Sequence, residues 1–519
     1  MKVLINIILC AVFLFGCAVS KKNNSIESEK LNDKELVQFT ILQINDFYEI
    51  APLDNGTIGG AARIATIRKK LMTENSNTLT VLAGDFLSPS LLGTLKWEGE
   101  RIKGKHMVDV LNATGIDLVT FGNHEFDIDE ASLQKRINES KFDWVSTNVS
   151  QLKSGISNPF MKETNGQKIP IPKHISIRFK NATGNEVRIA VISPCLPANK
   201  VSYVQYEDIF ESVEKEISKV QKDADFILLL SHLNKEDDLK MAKRFPSINL
   251  IVGGHEHENM KYKIGNAILT KADANAKTAY VHRIYFNSLT RKSIIRSSLV
   301  SLDKSIELDG EVHQLVQKWK AIENKVMREM GFDPDEILTK LFTPYDAREV
   351  IVRNEQAPFC QMICKSMIKA CSKSVCSILN SGSVRVDDIL KDNLSQYDIL
   401  RSLPFGGSIV EVELKGSLLK KVLDAGWSNK GSGGYLQWDQ IERMQDGNWK
   451  IQKNLLSLSN NYQVAMNDFL LTGGEKAMEF LTPKNSEIIK ITYGNKEDPK
   501  DLRNDIRLAI IDYLKKGGR

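Results

Sequence analysis

Between residues 36 and 302, short apolar runs alternate with longer stretches whose apolar positions recur every three to four residues. The short runs at 39–44, 78–82, 118–121, 187–192, 226–230 and 250–252 are nearly continuous in apolar character, which predicts strands covered on both faces. The stretches 61–71, 107–113 and 210–222 have helical spacing. Strands alternating with helices predict an α/β fold. In such folds ligands gather in the loops beyond the strand ends. Residues 311–329 read as one charged amphipathic helix, with Val312, Leu315, Val316, Trp319, Ile322 and Val326 on its stripe and no chemistry of its own. A second α/β pattern, unrelated to the first, begins near residue 338. With 519 residues the chain exceeds one ordinary core. The expected layout is a first domain over 36–305, a joining helix within 306–335 and a second domain over 336–519.

The chemistry-bearing residues of the first domain each follow a predicted strand. Asn45-Asp46-Phe47-Tyr48 follows the first and Gly84-Asp85 the second. Gly122-Asn123-His124-Glu125-Phe126-Asp127 follows the third, and Ser231-His232 and Gly253-Gly254-His255-Glu256-His257 follow later ones. Carboxylate oxygens with imidazole nitrogens suit divalent zinc, manganese or iron. Two such ions sharing a carboxylate can generate a nucleophile and clamp a phosphate. One strand-end Asp is ordinarily a helix cap, and Asp127 alone reads as a cap on a helix starting near Asp129. Five motifs in this order have no comparable structural explanation.

Composition narrows the partners little: 42% hydrophobic and 26% charged residues describe a globular chain. A net charge of +5 gives no case for nucleic-acid binding, and no protein partner is implied. The N-terminus is more informative. Lys2 precedes an apolar run over 3–15 that is shorter than a bilayer span and suits a secretory segment. It ends in Leu14-Phe15-Gly16-Cys17, which resembles a bacterial lipobox. That implies a signal over 1–17, lipidation of Cys17, a polar tether over 18–35, and a periplasmic or cell-surface lipoprotein held on the bilayer. Seven cysteines are present; setting aside Cys10 and Cys17 leaves five, which cannot all pair within the chain. Cys360, Cys364 and Cys371 share a helical face with Met367 and Ile368, a core pattern rather than a metal site.

The order Asp, Gly-Asp, Gly-Asn-His-Glu, His, Gly-His-x-His resembles the calcineurin-like metallophosphoesterases, and Gly-Asn-His-Glu-Phe-Asp resembles their 5′-nucleotidase branch. The resemblance implies a four-layer α/β/β/α sandwich joined by a helix to an α/β substrate-binding domain. It implies that Asp85 bridges two divalent metal ions, that Asp46 and His257 hold the first, and that Asn123, His232 and His255 hold the second. His124, oriented by Asp127, would stabilise charge on the phosphoryl group. In the second domain, Asn380-Ser381-Gly382-Ser383-Val384-Arg385 resembles a segment whose Asn and Arg contact substrate. Phe405 and Phe469 fit aromatic positions that sandwich a nucleobase, and Glu475 stands where the family usually has a ribose-binding Asp. Arg353 lies near another substrate-contacting arginine. The implied reaction is attack of a metal-bound hydroxide on a nucleoside 5′-monophosphate. Nucleotide sugars, 2′,3′-cyclic nucleotides, or nucleotide binding with little catalysis are alternatives.

One position departs from the pattern. The first motif is normally Asp-x-His, and here Tyr48 stands in the histidine position. A neutral phenol, with a reference pKa near 10, is a poor zinc ligand. Tyr48 binds a harder ion as phenolate, or Glu49 substitutes, or the first site is weak, or Tyr48 only packs beneath the centre.

Overall fold

The computed structural model describes residues 34–518. The apolar run, Cys17 and nearly all of the tether lie outside the described residues. Among the described residues, no helix is long and apolar enough to cross a membrane.

The first half is built on two six-stranded sheets. The first runs in the order Lys292–Ser301, Thr278–Asn287, Leu36–Ile44, Thr78–Leu82, Leu118–Thr120 and Asp143–Val145. The second runs His174–Lys180, Glu186–Ile192, Phe226–Ser231, Leu250–Gly253, Ala267–Lys271 and Met260–Ile264. The strands read as continuously apolar pair in parallel at the centres of these sheets. Their inward residues, including Phe39, Ile41, Val81, Leu228, Leu230 and Val252, form one buried layer between the sheets. The outer face of the first sheet is covered by Ala61–Glu74, Lys105–Thr114 and Glu130–Glu139. Ile209–Val220 and Lys235–Arg244 cover the second. The result is the four-layer α/β/β/α sandwich. Burial on both faces is why these strands lack polar alternation.

Gly310–Glu329, capped by Asp309 accepting from Val312 N, lays Val312, Val316, Trp319, Val326 and Met327 onto helices Ala61–Glu74 and Lys105–Thr114. It is therefore part of the helical layer, with Leu315 and Ile322 half-buried at the margin. It is also less inert than its pattern indicated. Glu323 is buried and paired with Lys320, whose Nζ donates to Tyr397 Oη of the second half at 2.9 Å.

The second half has a mixed five-stranded sheet in the order Leu436–Asp439, Cys376–Asn380, Asn461–Asn467, Ile409–Lys415 and Ile488–Thr492. Pro358–Ala370 and Ile506–Lys515 cover one face, and Gly416–Ser428 covers the other. Cys360, Cys364 and Cys371 are buried in the first of these helix layers, as their spacing predicts. Cys195, Cys360, Cys364, Cys371 and Cys376 are all buried free thiols. The halves touch through Thr94 Oγ1 donating to Pro404 O at 3.0 Å and through the Lys277–Asp388 and Lys391–Asp54 pairs at 3.3 and 3.0 Å.

Candidate active site

The loops that leave the central strands turn so sharply that several site residues adopt left-handed backbone. Asp46, Asp85, His255, His257 and Asn275 have φ of 49°, 57°, 90°, 61° and 57°. Such conformations cost on the order of 1–3 kcal/mol each and persist where surrounding structure enforces them. Here the enforcement is visible. Asn45 Nδ2 donates to Asp46 Oδ2 and Ala272 O, and Asn275 Oδ1 accepts from the Tyr48 and Glu49 amides. Glu125, wholly buried, accepts from the amides of Asp85, Phe86, Leu87 and Gly122, tying two ligand loops to one carboxylate. A Cβ on Gly122 would collide with Asp85 Oδ1 and lie 2.6 Å from Asp85 N, so only glycine lets these loops meet.

One ligand atom from each of Asp46, Asp85 and His232 falls within 4.8 Å of the other two, and all three residues are buried. His232 Nδ1 is satisfied by Ala83 O at 2.7 Å, which turns Nε2 toward Asp85 Oδ2 at 3.2 Å. That Nε2 and the Asn123 Oδ1 are buried without hydrogen-bond partners. Buried polar atoms are rarely left so. Burial disfavours a charged His232, yet the Asp85 carboxylate beside it lifts the ring to about 9. Despite its own burial, Asp85 is held well below the carboxylate range by His232 and His124. His255, whose amide donates to Asp46 Oδ2 at 2.9 Å, is pushed down to about 3 by burial and by His232, leaving a neutral imidazole. Carboxylate and amide oxygens with imidazole nitrogens, two of these atoms without hydrogen-bond partners, are the donor types that hold a divalent cation, which would take the place of the His232 proton.

Tyr48 is not packing beneath this set. Its Oη lies 3.0 Å from Asp85 Oδ2, 3.1 Å from His257 Nε2 and 3.5 Å from Asp46 Oδ1, within reach of three expected ligands. Burial and the Asp85 and Asp46 carboxylates raise its pKa well above the ordinary value, so without a cation it stays a phenol. Glu49 lines the same cleft, but the charged groups acting on its carboxyl are Glu323, Lys320 and Arg401 rather than the Asp46–Asp85–His232 set. Burial opposes charge on His257, but Asp387 and Asp46 raise it well above the ordinary imidazole value.

His124 Nδ1 is 2.7 Å from Asp127 Oδ2, whose other oxygen accepts from Asn199 Nδ2 at 2.6 Å. The helix cap belongs to Asp129, which accepts from Ser132 N, so Asp127 is free to hold the imidazole. Burial works against the charged ring, but Asp127 and Asp85 raise it above its ordinary value.

The second half faces this cluster. A narrow cleft is lined by Tyr48, His124 and His257 on one side and by Arg385, Asp387 and Arg401 on the other. The Arg385 guanidinium sits 5.7 Å from the Phe405 ring centroid. Asn380 Oδ1 accepts from Asn467 Nδ2 and Ser383 Oγ, and its Nδ2 donates to Glu475 Oε2 at 3.2 Å. Phe405 and Phe469 are 53% and 44% exposed, which core phenylalanines would not be. Their loops are joined by Asp468 N donating to Ser408 O at 2.9 Å. Arg353 pairs with Glu349. Sequence reasoning missed Asp387, which bonds His257, and Lys271. The Lys271 ammonium is buried beneath the last ligand loop and holds Gly254 O, Leu233 O and Asp238.

Two family models match the chain. Residues 39–259 match the calcineurin-like phosphoesterase model, and 339–483 match the 5′-nucleotidase C-terminal domain. The chain belongs to the 5′-nucleotidase family. As a member of that family it is a phosphoesterase, a hydrolase of phosphoester bonds. Human 5′-nucleotidase is 24% identical over 480 residues, spanning 80% of this chain and 78% of that protein. The trifunctional nucleotide phosphoesterase protein YfkN of Bacillus subtilis is 25% identical over 550 residues; 93% of this chain covers 36% of YfkN. A 5′-nucleotidase precursor from Thermus thermophilus shares the two-domain fold with a TM-score of 0.73 at 19% identity, over 93% of this chain and 97% of that one.

Proposed function

We propose that the protein is an exported, metal-dependent 5′-nucleotidase that releases phosphate from nucleoside 5′-monophosphates. The observation that carries this reading is the buried Asp46–Asp85–His232 cluster with two orphaned donors, set across a cleft from Arg385. Asp85 with Asn123, His232 and His255 would hold one divalent cation, and Asp46 and His257 with Asp85 another. When bound, such cations supply Lewis acidity and charge neutralisation at the phosphate. His124, fixed through Nδ1 by Asp127, keeps its other ring nitrogen for the phosphoryl oxygens, where an imidazolium stabilises developing charge. Arg385 offers a second cation to the phosphate from the opposite wall. Exposed Phe405 and Phe469 give flat faces to the base, and Glu475 with Asn380 accepts and donates hydrogen bonds to the ribose hydroxyls. The apolar run and Cys17 support export and lipid anchoring.

A second reading rests on Tyr48 among the ligand atoms: the first cation binds weakly and the protein holds nucleotides with little turnover. Elemental analysis with phosphate release from 5′-AMP separates the two for wild type, Asp85→Asn and Tyr48→His. Asp85→Asn is expected to lose both cations and turnover. Tyr48→His is expected to tighten the first cation. Full turnover in Asp85→Asn overturns the metal mechanism; wild type that binds 5′-AMP without turnover favours the second reading.

A further inference from the structure

His257 is held from across the domain boundary. Its Nδ1 lies 2.6 Å from Asp387 Oδ2, while its Nε2 points at Tyr48 Oη and Asp46 Oδ1, at 3.1 and 3.4 Å. Asp387 belongs to the second half, two residues beyond Arg385. Its other oxygen accepts from the Glu349 amide at 2.7 Å, so both carboxylate oxygens are committed. Its backbone is left-handed, with φ of 40°, at a residue that is not glycine. The neighbouring Asp388 faces elsewhere, toward Lys277 and Arg401. The segment that carries the phosphate-facing arginine therefore also fixes the ring of a ligand on the opposite domain.

We infer that Asp387 is a positioning residue that sets the tautomer and direction of His257 from the second domain, and so couples retention of the first cation to the seating of the two domains. The inference rests on the proposed ligand role of His257. A carboxylate on Nδ1 keeps the proton there and frees Nε2 to ligate; removing such a partner typically weakens metal binding about 10–100-fold. Because the carboxylate comes from the other domain, coupling is reciprocal: the cation favours this seating, and this seating favours the cation.

The test is Asp387→Asn in the full chain, with zinc or manganese binding read by titration against a chelator. Asparagine has one oxygen for two donors, so either His257 or the Glu349 amide loses its acceptor. The expected result is one cation weakened about 10–100-fold and the other unchanged. Small-angle scattering should show metal loading compacting wild type but not Asp387→Asn. Two cations of wild-type affinity in Asp387→Asn overturn the inference. Loss of cations in Asp85→Asn alongside that result leaves the metal reading standing, whereas retention of both cations in Asp85→Asn overturns the ligand set itself. Should Asp387→Asn not fold, ¹⁵N-histidine spectra of zinc-loaded wild type decide: a hydrogen-bonded Nδ1–H with Nε2 on the metal is expected. An Nδ1-ligated His257, identified by the signal lost in His257→Gln, overturns the inference.

Discussion

Gly122 is the most exacting position in the cluster, and Gly122→Ala tests whether the loops are packed as described. Its backbone φ is not in the left-handed region, so the substitution is a steric question alone. A methyl there would overlap Asp85 Oδ1 and sit 2.6 Å from Asp85 N, where ordinary contact begins at 3.4 Å. The carboxylate or the loop must therefore move by about 1 Å to restore van der Waals separation. Overpacking of this kind costs on the order of 1–3 kcal/mol. For the site the displacement matters more, since functional constellations tolerate only about 0.5 Å. A misplacement of about 1 Å lowers activity on the order of 100-fold. Gly122→Ala should therefore lose its cations on dialysis and lose at least about 100-fold in kcat/KM toward 5′-AMP, while circular dichroism still reports a folded chain. The measurements are metal content, phosphate release and a thermal melt on one preparation. Wild-type metal stoichiometry with kcat/KM within about threefold would refute the loop packing described above.

Two further outcomes are expected. Phe469→Ala should raise KM for 5′-AMP by roughly 5- to 150-fold, the value of about 1–3 kcal/mol of stacking, and leave turnover of p-nitrophenyl phosphate unchanged; an equal loss on both substrates removes the base-stacking role. Burial and the nearby Glu323 push Glu49 up to about 7 from 4.5, so the folded chain holds this proton to higher pH than the unfolded chain. That contribution to stability is complete below pH 4.5 and is lost as pH rises through 7, by roughly 3 kcal/mol in all. Melting curves of metal-free Glu49→Gln should be flatter than wild type across that window, and identical slopes would contradict the assignment.

The strands that position the chemistry were legible because parallel central strands, buried on both faces, leave unbroken apolar runs. Edge strands leave no such mark. Lys292–Ser301 sets Ile294 and Ile295 among lysine, arginine and serine with no fully buried position, and Met260–Ile264 has an exposed run at its centre. Neither contains a continuous apolar run of strand length. The first-domain ligand candidates stand out because Asn-Asp, Gly-Asp, Gly-Asn-His, Ser-His and Gly-His-x-His each follow a strand. Asp387 and Lys271 left no comparable signal. Asp387 acts on a residue 130 positions away, and only the seating of the domains brings the two together. Lys271 looks like an ordinary charged strand end, and its burial depends on three separate segments closing around it. Tyr48 was legible as a departure, but its consequence depends on where a phenol oxygen falls among three ligands.

The five free thiols among the described residues carry a consequence of a different kind. Burial raises the pKa of Cys195, Cys360, Cys364, Cys371 and Cys376, so each is shielded and mostly unionised in the folded chain. An alkylating reagent must wait for the backbone to open before it reacts. Cys195 lies among the loops of the first half, and the other four lie in or beside the helix and sheet of the second. The cysteines thus form a built-in clock with one hand in each domain, able to tell which half breathes first without any label being engineered into the chain.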